Sequence, residues 1–239
     1  IALPVAFRLP ETRWGGGVAG TATFAFSRDS VGANPSQLSF GLTYTQNKQV
    51  LIFLPFTMFY DNNRYYANAD IGWFRYNFLY YGIGENRVPE ELFDVTFPRA
   101  RLLVSQKIGS NTYLGARYQF ERYQVTGTKE GGELASGQIA GSDLSRTSSL
   151  GVSVLHDTRD AVFYPRRGVF GEIYILPTST LFGADRNFVR YFADLSVYRS
   201  LSKRLVLATN YVGSFTQGKE VPFSQLSMLG GPRKMRGVY

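Results

Sequence analysis

Apolar and polar residues alternate with a period of two along most of this chain. The segment 37–46 is the clearest case, since Leu38, Phe40, Leu42 and Tyr44 alternate with serine, glycine and threonine. Such alternation places successive side chains on opposite faces of a β-strand. Helical periodicity is nearly absent, so the predicted fold class is all-β. The pattern predicts eleven strands, over residues 1–8, 14–26, 37–46, 50–58, 66–74, 99–107, 113–123, 149–155, 168–176, 188–198 and 204–214.

The two faces of these strands differ in their chemistry. One face carries leucine, valine, isoleucine, alanine and aromatic residues without a mid-strand charge. The other face carries mid-strand charges, at Arg101, Arg117, Glu121, Glu172, Arg190 and Asp194. A soluble sandwich or lipocalin-like barrel also alternates, and it remains an alternative. A transmembrane β-barrel explains more, because a charge facing lipid at the midplane costs about 2–4 kcal/mol. Strands of about 9–11 residues and aromatic residues near the strand ends also favour a tilted membrane crossing.

The connections between the predicted strands alternate in length. Counted from the first strand, the odd-numbered connections include the longest loop, 126–146, and the loop after the last strand. The even-numbered ones include the short turns 107–112 and 200–203. Outer-membrane barrels place long loops outside the cell and short turns in the periplasm. We therefore expect the loop after the eleventh strand to begin on the extracellular side.

An eleven-stranded sheet does not close as a bacterial barrel, which has an even number of strands. An open sheet edge in lipid would leave backbone groups unpaired. We expect residues 1–239 to form the N-terminal portion of a transmembrane barrel domain, with the remaining strands in a longer chain or in another chain. The start at Ile1, inside a predicted strand, indicates a processed or trimmed chain.

Composition narrows the function classes. No apolar run is long enough for a transmembrane helix, and no signal peptide is visible. The net charge of +8 raises the possibility of nucleic-acid binding, but the lysines and arginines are scattered singly, which argues against it. One histidine and no cysteine leave no set of metal ligands, so we predict neither a metal nor a cofactor.

One candidate for catalysis is His156, which adjoins Asp157 and lies near Asp160. A His–Asp pair suggests a hydrolase such as an outer-membrane phospholipase. The pair lies in a polar turn, 156–167, where these side chains suit turn hydrogen bonds. No Gly-x-Ser-x-Gly motif supplies a nucleophile. We therefore predict that the chain is not an enzyme and has no catalytic residues.

The end of the chain, 228–239, cannot continue as a strand. Gly230, Gly231 and Pro232 would interrupt a ladder, and Arg233, Lys234 and Arg236 follow closely. The segment predicts an ordered loop that delivers one cation to a specific place. A solvated terminus is the alternative.

Two motifs together carry a family resemblance. Gly230 and Gly231 followed by Arg236, Gly237 and Tyr239 resemble the signature loop of the BamA/TamA superfamily of outer-membrane assembly and secretion barrels, the bacterial surface antigen domain. Met235 stands where that loop usually has valine, and Val238 is inserted before the aromatic residue. The second motif resembles that family's turn between strands and consists of Asp157, Arg159 and Asp160 followed by Pro165 and Gly168. Residues 10–15 also resemble the family's first hairpin.

The resemblance implies a sixteen-stranded barrel in the bacterial outer membrane, with the signature loop after the eleventh strand folded back into the lumen. Arg236 would latch onto a lumenal carboxylate, because its planar fork binds carboxylates bidentately. Gly237 would allow the tight turn beneath it. No POTRA-like repeats precede Ile1, so we expect that they were removed or that this member lacks them.

The resemblance also implies a weak seam at the first strand, which contains Pro4 and Ala6. Proline has no N–H and is tolerated chiefly at sheet edges, although Pro4 could also precede the strand proper. The implied function is assistance with insertion, assembly or translocation of outer-membrane or surface proteins. Expected partners are outer-membrane lipid, client proteins and other subunits of an outer-membrane complex. A passive pore and a structural barrel subunit are the alternatives.

Overall fold

The computed structural model describes residues 1–9, 12–26, 34–85, 88–161 and 164–228. Eleven antiparallel strands form one sheet in chain order. They are β1 Ala2–Leu9, β2 Arg13–Phe24, β3 Ser36–Thr45, β4 Val50–Tyr60, β5 Tyr65–Tyr80, β6 Glu91–Lys107, β7 Thr112–Gly127, β8 Leu144–Asp157, β9 Gly168–Thr178, β10 Phe188–Ser200 and β11 Val206–Gly218. Short 3₁₀ turns lie at Leu134–Ser136, Thr180–Phe182 and Phe223–Gln225. No helix in these ranges is long and apolar enough to cross a membrane.

The predicted all-β class and the strand order are confirmed, but several strand bounds are wrong. β6 begins at Glu91 instead of residue 99, and β8 begins at Leu144 instead of residue 149. β5 and β7 likewise continue to Tyr80 and Gly127. The strands extend because their additional inward-facing residues pack in one aromatic cluster. This cluster comprises Phe74, Tyr80, Phe93, Val95, Phe97, Tyr123, Val125 and Leu134.

The sheet has an apolar outer face, and the register keeps that face continuous from strand to strand. Val18 lies opposite Leu42, Leu42 opposite Ile52, and Ile52 opposite Trp73. Leu42 and Ile52 are 50% and 45% exposed. Apolar side chains exposed over a whole sheet face match hydrocarbon rather than water. The fold is therefore that of a transmembrane β-barrel wall, as the alternation predicts.

The inner face is polar and carries the charged residues. Neighbouring strands contribute carboxylates and guanidinium groups at similar heights, such as Asp70 of β5 opposite Arg101 of β6. The aromatic cluster lies on this same inner face, at the end of the sheet that carries the odd-numbered connections. The interior thus has an ionic middle and an aromatic end.

The prolines of the internal strands coincide with breaks in the ladder. The β3–β4 pairing is interrupted between Leu38↔Phe56 and Gly41↔Phe53, an interval that contains Pro55. Pro98 and Pro177 lie in similar gaps of the β6–β7 and β8–β9 ladders. Proline has no N–H to donate, so a ladder cannot continue through it on both sides.

Candidate functional site

The loop that follows β11 begins on the inner face of the sheet, and its first part, residues 219–228, is called the stem here. Phe223 anchors the stem in the aromatic cluster. Its ring meets those of Tyr80, Phe93 and Tyr123 edge-on, with centroids 5.8–6.0 Å apart. Its backbone N–H donates to the carbonyl oxygen of Ala140 at 2.9 Å. Each edge-on ring pair is worth about 0.5–1.5 kcal/mol beyond burial, so this ring is firmly held.

Gln225, two residues further along the stem, lies between two oppositely charged side chains. Its side-chain amide nitrogen donates to Glu121 Oε1 at 2.6 Å. Arg190 Nη2 donates to the backbone carbonyl and to Oε1 of Gln225, at 2.6 and 3.0 Å. Gln225 is only 9% exposed. Hydrogen bonds to charged partners are stronger than neutral ones, so Gln225 ties β7 to β10 across the interior.

The ionic middle of the interior contains further pairs between strands. Arg99 Nη2 lies 2.8 Å from Asp70 Oδ2, and Arg117 pairs with Glu172. Ser153 Oγ donates to Glu172 Oε1 at 3.0 Å. Both guanidinium groups also lie over aromatic rings, Arg99 at 4.7 Å from Phe74 and Arg117 at 4.4 Å from Tyr174. Each guanidinium group in these pairs thus has an opposite charge and an aromatic face to replace lost water.

The turn after β8 brings most of its motif residues into contact. Asp157 accepts a bidentate bond from Arg159, with Nε–Oδ1 at 2.9 Å and Nη2–Oδ2 at 2.7 Å. Donation to Asp157 raises the pKa of the Arg159 guanidinium. The same guanidinium lies 4.6 Å from the ring of Phe170, an inward-facing residue of β9. Asp157 and Arg159 thus lie together at the inner mouth of the sheet, at the end with the even-numbered connections.

Asp160 organises the rest of this turn. Its Oδ1 accepts the backbone N–H groups of Arg166 and Arg167, at 2.9 and 3.2 Å, which lowers the pKa of its carboxyl group. Gly168 begins β9 with φ of 110°, and a Cβ there would lie 2.3 Å from the Thr158 carbonyl oxygen. Only glycine fits both conditions. Pro165 lies within the same turn and is half-buried. The functional meaning of this motif stays a prediction.

His156 does not form a dyad with Asp157. The two are successive strand residues and point to opposite faces of the sheet. His156 Nδ1 lies 2.9 Å from Thr112 Oγ1, while both carboxylate oxygens of Asp157 bind Arg159. Among the residues that the structure describes, no group of three or more histidine, cysteine and acidic side chains could hold a metal ion.

The first strand, β1, pairs with β2 on one side. Ile1 and Thr21 exchange both of their backbone hydrogen bonds, at 2.8 and 2.9 Å. Such pairs alternate along an antiparallel ladder with pairs whose backbone groups point away from each other. Pro4, which is opposite Val18, belongs to the second kind, and so does Ala6, opposite Gly16. The nitrogen of Pro4 therefore faces away from β2, so a strand on that side would find a donor missing.

Five predicted residues lie outside the described part of the chain. These are Gly230, Gly231, Arg236, Gly237 and Tyr239, the whole predicted latch. Sequence reasoning missed Phe223 and Gln225, which carry the stem. No periodicity marks them, and their partners are far away in the chain. The inward-facing charges of Glu121 and Arg190 were recognised, but not that a glutamine joins them.

Comparison with solved structures places this architecture among known folds. The chain is similar to the crystal structure of BamA from Haemophilus ducreyi lacking POTRA domains 1–3, with a TM-score of 0.57 and 17% sequence identity. The match covers 99% of this chain and 44% of that chain, so the chain spans less than half of that protein's length. This likeness concerns the fold.

Comparison by sequence gives the family. No curated protein matches the chain significantly. The Omp85 superfamily domain matches residues 21–238, from within the second strand to the last residue but one of the chain. That range contains the turn motif and, except for Tyr239, the loop motif on which the resemblance to the BamA/TamA barrels depends. The chain therefore belongs to the Omp85 superfamily.

Proposed function

We propose that residues 1–239 form part of the wall of a barrel in the bacterial outer membrane that assists insertion, assembly or translocation of outer-membrane or surface proteins. Membership of the Omp85 superfamily and the fold likeness to BamA support this function. The partners would be membrane lipid, client proteins and other subunits of an outer-membrane complex. The proposed role is one of strand exchange and needs neither a catalytic residue nor a cofactor.

The observation that carries the proposal is the direction of the Pro4 nitrogen. Along β1, the residues whose backbone faces away from β2 are Ala2, Pro4, Ala6 and Arg8. Pro4 supplies a carbonyl oxygen but no N–H on that side. A ladder with a missing donor is weaker than a full one and opens more readily. Pairing at this edge would therefore be reversible, as a seam that admits client strands requires.

The second part of the proposal concerns the loop after β11. Phe223 and Gln225 direct its stem into the interior, which is the path that a lumenal Arg236 requires. We propose that Arg236 and Gly237 form a structural latch inside the barrel, with Gly230, Gly231 and Tyr239 shaping the loop. The turn motif of Asp157, Arg159 and Asp160 would brace the periplasmic mouth below it.

The stem also bears on the main alternative, a passive pore. An open pore needs a water-filled path along the interior, whereas the stem occupies part of the inner face and bonds to both β7 and β10. This position favours an assembly barrel. Conductance of the reconstituted full-length protein, compared with its rescue of barrel assembly in a depleted strain, separates the two functions.

Crosslinking tests the seam directly. In the full-length protein, Ala6→Cys is paired with cysteines in a client strand or in the last strand of the barrel. Ala116→Cys, on the outer face of the internal strand β7, is the matched control. We expect disulfide crosslinks from position 6 to the client or last strand, and none from position 116. Crosslinks from position 6 to β2 alone would contradict the seam.

A further inference from the structure

Three outward-facing arginines lie together at the end of the sheet that carries the odd-numbered connections. They are Arg75 of β5, Arg122 of β7 and Arg146 of β8, and all three are exposed. Their strand neighbours Phe74, Tyr123 and Ser145 are buried on the inner face. Because side chains alternate along a strand, the three arginines point towards the membrane side of the sheet. This group is called the rim arginines below.

Each rim arginine lies just beyond an apolar stretch of the outer face. On β5 and β7 the stretch ends at Trp73 and Phe120, each two residues before the arginine. On β8, which runs in the opposite direction, the stretch begins at Leu150, and only Ser148 separates it from Arg146 on this face. On β7 it spans Leu114 to Phe120, and the outward residues beyond Arg122, which are Gln124 and Thr126, are polar. The rim arginines therefore lie where the hydrocarbon ends and the headgroups begin.

The register puts two of these cations directly opposite each other. Arg122 of β7 faces Arg146 of β8 across the strand pair. Arg75 lies opposite Thr96 of β6, which in turn lies opposite Gln124 of β7. Arg75 is therefore two strands away from Arg122 and two residues nearer the end of the sheet with the odd-numbered connections. Like charges directly opposite in a sheet are destabilising. An anion between them would remove that cost.

The protein itself supplies little neutralising charge. Within the described ranges, none of the rim arginines has a carboxylate within 4 Å of its guanidinium group. Two carboxylates near this end of the sheet accept hydrogen bonds from other groups. Asp94 accepts from Asn77, and Asp185 accepts the backbone N–H of Arg146 at 2.8 Å. The outward positions at the same end of β9–β11, such as Pro177, Val189 and Gln217, carry no cation.

We infer that the rim arginines bind the phosphorylated headgroup of a lipid in the outer leaflet. Guanidinium groups bind phosphate oxygens bidentately, and an always-charged side chain suits a permanent surface role. The acyl chains would lie on the apolar stretch below, against Trp73 and Phe120. The inference rests on the outer-membrane location and the orientation proposed above. It adds a lipid site on one side of the barrel, across the strands β5–β8 and away from the β1 edge.

Binding of a defined lipid tests this inference. The full-length protein in detergent is titrated with lipid A that carries two phosphates, and with the same lipid after both phosphates are removed, and bound lipid is counted by native mass spectrometry. The double variant Arg122→Gln/Arg146→Gln should bind the phosphorylated lipid at least ten-fold more weakly. Arg199→Gln is the matched control, because Arg199 faces outward at the opposite end of β10. It should bind within two-fold of the unchanged protein.

Thermal stability supplies a second measurement, because it predicts an increase in the unfolding temperature as well as a decrease. Without lipid, Arg122→Gln removes repulsion from Arg146 and should raise the unfolding temperature. With phosphorylated lipid A, the same variant should unfold at a lower temperature than the unchanged protein. Equal binding by the double variant, or by the dephosphorylated lipid, would overturn the inference. The proposed function is tested separately, by barrel assembly in cells. A failure of the lipid-binding test would therefore not decide the test of the proposed function.

Discussion

The side-chain amide of Gln225 donates to Glu121 Oε1 at 2.6 Å, although 104 residues separate the two in the chain. The bond joins the loop after β11 to β7, which lies four strands away in the sheet. Arg190 holds the same glutamine from β10. This contact connects the stem to the barrel wall, and it leads to the first prediction.

Removing the glutamine should loosen the stem. Gln225→Ala leaves the half-buried Glu121 without its amide donor and Arg190 without one acceptor, which costs about 1–3 kcal/mol of stability. The temperature at which the folded form disappears on a semi-native gel should fall. Ser227→Ala is the control, because it removes only an exposed bond to Ser214 Oγ. A Gln225 variant as heat-resistant as the control would show that the stem is not anchored here.

The latch itself is tested further along the loop. Arg236→Ala should lower the heat stability or the assembly of the barrel, because a lumenal carboxylate would lose its cation. Arg233→Ala, three residues earlier in the loop, is the comparison and should have little effect. Unchanged heat-modifiability of Arg236→Ala would count against a structural latch.

Replacement of glycine by alanine should be harmful at the first residue of β9 and tolerated three residues later. Gly168→Ala forces a side chain into a left-handed backbone and into the Thr158 carbonyl, and should cost about 1–3 kcal/mol or block assembly. Gly171→Ala places its Cβ no closer than 3.6 Å to a neighbour, Leu195 Cδ1, and should be tolerated. Equal heat stability of the two variants would refute the requirement at residue 168.

Acid should loosen the same turn. The pKa of Asp160 is lower in the folded turn than the value of about 3.9 for a free aspartate, because two backbone N–H groups donate to it. Its contribution to stability is therefore complete above about pH 4 and is lost as the pH falls through the lowered pKa. Protection of the Arg166 and Arg167 amides against hydrogen exchange, measured relative to an unfolded peptide at the same pH, should fall in that acidic window. Asp160→Asn should remove this pH dependence, and a variant that kept it would contradict the assignment.

Sequence alone predicted the strands of this barrel better than the contacts inside it. Alternation identified all eleven strands because each outer-face residue meets lipid, which imposes a period of two. It failed over 91–98, where Asp94 and Pro98 interrupt the pattern and pairing with β5 and β7 decides the structure instead. Phe223 and Gln225 were invisible, because their roles depend on Tyr123 and Glu121, about a hundred residues earlier. The turn motif was found through its resemblance to a family, and its hydrogen bonds required coordinates.

The partition of side chains between lipid and lumen is the central claim, and site-directed spin labelling measures it most directly. Val104, on the outer face of β6, and Arg101, on its inner face, are replaced by labelled cysteine in the full-length protein in a bilayer. We expect the label at position 104 to be accessible to dissolved oxygen, which partitions into lipid. We expect the label at position 101 to be accessible to a water-soluble nickel chelate. A water-accessible position 104 together with an oxygen-accessible position 101 would contradict the account.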